Sequence, residues 1–369
     1  MDNINRIMNV YNVEDDEDDN EIQGFIVFGV PRQLYVRQNH FDNYDEANFE
    51  RRFRLQRNTV LQFLQLIEHQ LEYAMDMNNS VSPMNQLLVC LRFYSTGGHL
   101  QAIADFAGMH VSTVSRIIKR VSAIIAALGR RYIKFPDTQE AIKACQRKFY
   151  DVASFPRVIG AIDCTHIKIE SPGGNDAELF RNRKSFFSIN VQLVCDADLK
   201  IMNVVARWPG ATHDSTIFNN SRLYAQFETN QYPQCILLGD SGYPNKPYLF
   251  TPLLNPVSPE EQLYNEAHIR TRNKIERCFG VLKRRFPVLA YGCRLKLETV
   301  QAVIVATVVL YNFIKENGND IVPPLPEELD QHAFDILIDN GQIPDIHAHE
   351  AQMGEMRQEF INAYFRNLV

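Results

Sequence analysis

Four carboxylates in this 369-residue chain stand where acids do chemistry rather than packing. Asp163 closes the apolar run RVIGAID and Asp240 closes QCILLGD. Both runs are apolar on successive residues, the pattern of strands covered on both faces. In open α/β sheets the carboxyl ends of such strands are where ligands bind. If the two strands are neighbours, a spacing of ~4.8 Å sets the two acids side by side. Like charges that close need a cation, and carboxylate oxygens are hard donors that suit Mg²⁺ or Mn²⁺. Two such ions ~3.5–4 Å apart can clamp the attacking and leaving oxygens of a phosphoryl transfer. Glu276 is the candidate third acid, the only one between Arg270 and Arg285 in RTRNKIERCFGVLKRRF. Asp214, in WPGATHDS, is a candidate fourth ligand.

Each acid also has a plainer reading. Asp240-Ser-Gly is good turn chemistry, Asp214 can cap the helix that follows it, and Glu276 can be a salt-bridge partner on a charged helix. The basic setting of Glu276 weakens that last reading: Arg272, Lys274, Arg277, Lys283, Arg284 and Arg285 could reach phosphates while the lone acid faces the metals. Lys283 to Arg285 could equally belong to a nuclear import signal. His166 and His213 lie near two of the acids and could move protons, although surface or capping roles are the safer reading for both. Trp208 reads as packing rather than a base-stacking platform.

The elements that must hold these acids follow from pattern. RVIGAID, SFFSINVQLVCDAD and KIMNVVARWPG are successive strands, the last two joined as a hairpin by Asp196-Ala-Asp198. A helix over DSTIFNNSRLYAQF, the QCILLGD strand and a helix from about Glu261 to Phe286 complete a mixed α/β sheet flanked by helices. Upstream, VLQFLQLIEHQLEYAM has helical spacing, and three more helical stretches follow between Pro83 and Leu128. The second of them stops at Gly108 and the third opens at Ser112 or Thr113, which is helix-turn-helix spacing. Ile103, Ala104, Val111, Val114, Ile117 and Ile118 would pack, leaving Ser115, Arg116, Lys119 and Arg120 outside. Arg116, Lys119 and Arg120 would then contact DNA, unless the segment is an ordinary helical hairpin with a solvated basic face. The boundaries are an acidic, flexible tail over 1–45, a helical domain over 46–135, a catalytic domain over 155–318 and an acidic, amphipathic segment over 319–369.

Composition bounds the possible partners. The net charge of −6 argues against nucleic acid until the run Glu14 to Asp19 is set aside; 44 acids less those 6 leaves 38, against 38 Lys and Arg. Local patches then decide binding. Seven cysteines with no C-x-x-C pair suggest a reducing compartment rather than disulfides or zinc. No secretory leader is expected. AVIVATVVLY, from Ala302 to Tyr311, falls short of the ~20 residues of a membrane span and reads as a buried helix.

GAIDCTHIKI, WPGATHDS, LLGDSGYP and RTRNKIERCFGVLKRRFPVL resemble, in order and wording, the DDE transposase domain of the PIF/Harbinger superfamily, over roughly Arg157 to Ile314. The helix-turn-helix segment also looks like that family. The resemblance implies an RNase H-like catalytic domain after an all-helical domain, with Asp163, Asp240 and Glu276 as the catalytic triad and Asp214 as a further metal ligand. It implies a divalent cation, Mg²⁺ or Mn²⁺, as cofactor, DNA as substrate and a Myb/SANT-like partner protein. It further implies a nuclear location, with the cytoplasm second, and a possible homo-oligomer. Cys164 stands where many members carry Gly, a small residue either way. The alternative is a catalytically silent, domesticated transposase that binds DNA or chromatin. Asp163-Cys-Thr and the later GDS also resemble haloacid dehalogenase-like phosphatases, but no acid follows Asp163 two residues on.

Overall fold

The computed structural model describes residues 36–73, 80–318, 332 and 354–368. The acidic run at 14–19 and most of the C-terminal segment lie outside the described residues. A helical layer comes first: α1 (Glu46–Phe53), α2 (Arg57–Leu71), α3 (Pro83–Thr96), α4 (Leu100–Ala107), α5 (Val111–Ala127), α6 (Gly129–Tyr132) and α7 (Gln139–Ala153). Its ends are set locally. Ser82 caps α3 and Pro83 begins it, a pairing that suits the first helical turn. Gly108 ends α4 with φ +58°, and a Cβ there would meet the carbonyl oxygen of Val36 at 2.2 Å, so only glycine fits. The cap of α5 is His110, whose Nδ1 accepts from the Ser112 amide, two or three residues earlier than the expected Ser112 or Thr113.

Ile103, Ala104, Val114, Ile117 and Ile118 are buried, Val111 is partly so, and Arg116 and Lys119 are exposed. Arg120 is engaged within the protein: it donates to the carbonyls of Gln70 (2.7 Å) and Glu72 (3.2 Å) and lies over the Tyr73 ring.

The sheet follows as β1 (Val158–Lys168), β2 (Ser188–Cys195) and β3 (Ile201–Pro209), an antiparallel meander. Then come α8 (Asp214–Asn219), α9 (Arg222–Glu228), β4 (Ile236–Leu238) and β5 (Leu249–Phe250), the two strands running parallel to β1. The order β3-β2-β1-β4-β5 gives a five-stranded mixed sheet with β1 at its centre, the RNase H-like arrangement expected for a DDE domain. Asp196 forms the expected β2–β3 turn, its carboxylate accepting from the amides of Asp198 and Lys200.

The chain closes with α10 (Pro259–Arg285), α11 (Val288–Tyr291), α12 (Leu297–Glu316) and α13 (Gly354–Tyr364). A capping box starts α10: Ser258 accepts from the Glu261 amide while Glu261 accepts from the Ser258 amide. One face of the sheet, with Ala161, Val191, Leu193 and Leu238, shares a core with α10, α12 and the helical layer. The other, with Ile162, Cys164, Val194 and Leu237, packs on α8 and α9. At 20 residues α12 is long and apolar enough to span a bilayer, longer than the ten-residue run suggested, yet 72% of its apolar window is buried in this core.

The helical layer and the sheet are one packed unit. Phe313 of α12 meets Phe63 (4.9 Å between centroids) and Tyr132 (5.7 Å). The fully buried Asn312 donates to the carbonyls of Tyr132 and Ile201 and accepts from the Ile201 amide. α13 docks as well, with Phe360 against Phe155 and Phe250.

His268 of α10 is buried with Nε2 against the carbonyl of Phe250 at 3.0 Å, and burial pushes its pKa down to about 3. The unfolded chain takes up a proton below about pH 6.5 that the folded chain refuses, so stability falls as pH falls from there toward 3. Going from pH 7 to pH 5 should cost about 2 kcal/mol through this residue. Urea unfolding of His268→Gln should show a pH dependence smaller by that amount.

Candidate active site

Asp163 lies inside β1, not at its end as the sequence suggested, because β1 stays paired with β2 as far as Lys168. On the other side β4 stops early. Its last pair with β1 is Ala161 with Leu238, so Asp163 and Asp240 each stand two residues further on, at the same level of adjacent strands. The expected neighbourhood therefore forms where β4 leaves one edge of β1 open. Asp240 turns the chain there: its Oδ1 accepts from the Gly242 amide at 3.0 Å, and a Cβ on Gly242 would crowd that oxygen. The turn reading and the ligand reading of Asp240 are compatible.

Asp214 is the first residue of α8, delivered by the loop after β3. That loop passes so close to the β1–β2 connection and the start of β2 that a Cβ on Gly210 would fall 2.5 Å from the carbonyl oxygen of Phe180 and 2.9 Å from that of Ser188. Glycine is the residue that lets the WPG segment bring Asp214 in. Asn190 of β2, buried, then fixes it: Nδ2 donates to Asp214 Oδ1 and to the Thr212 carbonyl, both at 2.9 Å. One oxygen each from Asp163, Asp214 and Asp240 lies within 4.8 Å of the others. Three hard donors converging on one point fit a divalent cation such as Mg²⁺ or Mn²⁺.

The pocket already holds one cation of its own. Arg272 Nη1 donates to Asp163 Oδ2 at 2.9 Å and Nη2 donates to Glu276. Arg272, expected at a DNA phosphate, is instead the counter-ion of the acids. Glu276 is half-exposed, outside the converging trio, and reaches Asp163 through this guanidinium. Burial raises the pKa of Asp163 well above the ordinary carboxylate range; the charges of Asp240 and Asp214 add to this and Arg272 opposes it. The Cys164 thiol, beside Tyr243 Oη at 3.3 Å, is pushed up by burial and then by Asp214, so it stays protonated.

The other candidates are scattered. His166 bonds Ser188 Oγ through Nδ1, and burial, with the charges of Lys283, Arg183 and Lys184, pushes it down to about 4. It is neutral at physiological pH. His213 is exposed and accepts from Arg183 through Nδ1 at 3.0 Å. Trp208 packs against the α8 and α9 side of the sheet. Lys283 and Arg285, expected at phosphates, are 1% and 2% exposed. Lys283 lies against the His166 carbonyl at 3.5 Å, and burial lowers it to about 7. Arg285 donates to the Arg54 carbonyl at 3.1 Å. Both face the core because α10 is covered along this length, so neither meets a phosphate in this arrangement. Arg277 is exposed, and Lys274 and Arg284 are partly so.

One working residue, Asn190, was missed in the sequence, and Arg272 was singled out there for a different role. Asn190 alternates with Ser188 and Gln192 among the apolar residues of SINVQLV, and polar residues within such a strand are a signal for buried polar contacts. Arg272 sits four residues before Glu276, the spacing at which helical side chains meet. Removing Arg272 leaves Asp163 buried without its cation, a change that costs about 3 kcal/mol or more. Urea unfolding of Arg272→Met in EDTA should show that loss, and the double variant with Asp163→Asn should regain most of it.

Residues 162–312 match the family described as "DDE superfamily endonuclease". "Putative nuclease HARBI1" of Bos taurus is 31% identical over 298 residues, covering 78% of this chain and 85% of that protein. Its Homo sapiens counterpart is 32% identical over 268 residues, covering 72% and 76%. "Protein ALP1-like" of Arabidopsis thaliana is 26% identical over 279 residues, covering 69% and 67%. No solved structure matches this chain. With Asp163, Asp214, Asp240 and Glu276 all inside the matched domain, this chain belongs to the Harbinger transposase-derived family of the DDE endonuclease superfamily.

Proposed function

We propose that this protein is a divalent-metal-dependent DNA endonuclease. The observation that carries the reading is the convergence of Asp163, Asp214 and Asp240 at the open edge of β1. These three would hold Mg²⁺ or Mn²⁺, and Glu276 would join them once Arg272 gives it up. Four acids suffice for the two-ion arrangement of phosphoryl transfer, in which bound metal makes water a nucleophile at neutral pH and offsets charge on the leaving oxygen. The chain's own residues supply the positioning. Asn190 locks the Asp214 carboxylate, the Gly242 amide locks Asp240, and β-pairing on the β2 side locks Asp163. Such fixed ligands lower the reorganisation needed at the reacting centre.

DNA would lie across the exposed Arg277 and the partly exposed Lys274 and Arg284 on α10, with the exposed Arg116 and Lys119 of α5 as the helix-turn-helix contribution. A balanced net charge outside the acidic run suits a protein that binds DNA with help. A Myb/SANT-like partner would supply that help and nuclear entry, with the nucleus as the working compartment and the cytoplasm as a second one; a homo-oligomer fits the same reading. A catalytically silent binding protein is the second reading, and the Arg272 bridge between Asp163 and Glu276 is the observation in its favour.

Cleavage of a labelled duplex in Mg²⁺ or Mn²⁺ tests the proposal. Cutting should vanish in EDTA and in Asp240→Asn. Asn190→Ala keeps every acid but frees Asp214, and should lower activity by about 10–100-fold. Absence of cutting by the native chain, with the partner present and Mn²⁺ binding shown by calorimetry, would establish the silent reading.

A further inference from the structure

Asp240 and Glu276 reach the acidic pocket on different elements, one after β4 and one on α10, and a single backbone carbonyl joins those elements. The ladder between β4 and β5 is two pairs long, Leu237 with Leu249 and Leu238 with Phe250. Past its end the amide of Gly239, the residue before Asp240, donates to the Phe250 carbonyl at 3.0 Å. His268 of α10 places Nε2 against the same oxygen at 3.0 Å. A carbonyl only accepts, so Nε2 carries the proton, and the oxygen holds one donor from the strand and one from the helix. The residues that follow are stitched to α10 as well: Tyr264 Oη donates to the Thr251 carbonyl at 2.8 Å, and Asn265 donates to the Leu253 carbonyl and accepts from its amide.

His268 is a costly residue for packing alone. It is fully buried, burial keeps its ring neutral, and its Nδ1 finds no hydrogen-bond partner among the described residues. A buried polar atom left unpaired costs stability, so an apolar side chain beside Phe155 and Tyr264 would serve the core better. What His268 adds is one directed bond. Arg272 and Glu276 follow it along α10 at four-residue spacing, the spacing at which helical side chains meet. The bond to Phe250 therefore fixes that side of the helix against the strand end that carries Asp240.

We propose that His268 is a positioning residue of the acidic pocket, its bond to the Phe250 carbonyl setting Asp240 against Arg272 and Glu276. The inference rests on the metal-dependent nuclease reading and deepens it with a residue that would touch neither metal nor DNA and acts through the backbone before Asp240. Losing an outer partner of a metal ligand costs about 10–100-fold in metal affinity or activity.

The test is calorimetric titration of the full chain with Mn²⁺, beside cleavage of a labelled duplex. His268→Met removes the donor and keeps an apolar side chain of similar length; it should weaken Mn²⁺ binding and cutting by about 10–100-fold. His268→Gln puts an amide N–H where the ring N–H stood and should restore both to the native level. Ile67→Val, a core change in α2, should lower the urea midpoint and leave Mn²⁺ affinity unchanged, which separates positioning from stability alone. A second measurement needs no variant to fold: because coupling is reciprocal, saturating Mg²⁺ should slow hydrogen exchange at the His268 ring N–H of the native chain, followed by NMR against an EDTA reference. Native affinity in His268→Met overturns the proposal, as does an equal loss in the Met and Gln variants or an exchange rate that Mg²⁺ leaves unchanged. The nuclease reading fails separately, as a native chain that binds Mn²⁺ with this dependence on His268 and leaves DNA uncut. A native chain that binds no Mn²⁺ overturns both.

Discussion

Crowding three carboxylates into one pocket, with one of them fully buried, is the constraint around which the rest of this structure is arranged. At the outer limit of 4.8 Å between oxygens, each ionised pair repels by roughly 3 kcal/mol at an effective dielectric constant of 20. Arg272 offsets part of that, from a helix anchored at its start by a capping box and along its length by the core. Burial, and then the charges of Asp240 and Asp214, still raise the Asp163 pKa well above the ordinary carboxylate range. A divalent ion held between the three carboxylates would offset their mutual repulsion.

That arrangement explains the division of labour along α10. Tyr264, His268, Thr271, Ile275, Cys278, Leu282 and Arg285 recur at three- and four-residue spacing and are all buried. The adjoining row, Arg272, Glu276, Phe279 and Lys283, starts in the acidic pocket and ends against the carbonyl of His166. Only the remaining faces keep cations in solvent, Arg277 among them. One helix thus closes the core, supplies an acid and its counter-ion, and presents a basic face.

Much of this was legible in the residues. The apolar runs ending in Asp163 and Asp240 read as two strands whose adjacency was left as a condition, and the hairpin at Asp196 and the stop at Gly108 were readable from turn and cap chemistry. The burial of Arg285 was readable too, since it falls on the apolar stripe of α10, but the basic run KRR masked the period. Other features depend on contacts between distant segments. That β1 continues past Asp163 follows from β2 pairing on one side after β4 has ended on the other. The approach of Gly210 to Phe180, and hence the placement of Asp214, requires two loops to meet that no local pattern joins. Arg120 likewise looked like a free basic residue until the end of α2 came beside it.

The buried Asn312 carries a further consequence. By binding Tyr132 of α6, just after α5, and both backbone groups of Ile201 on β3, it fastens the helical layer to the sheet. A duplex gripped by α5 would meet the acids at a separation set by the packed core, not by a linker. The protein would then act as a ruler, with the offset between the gripped sequence and the scissile bond written into the packing of α12.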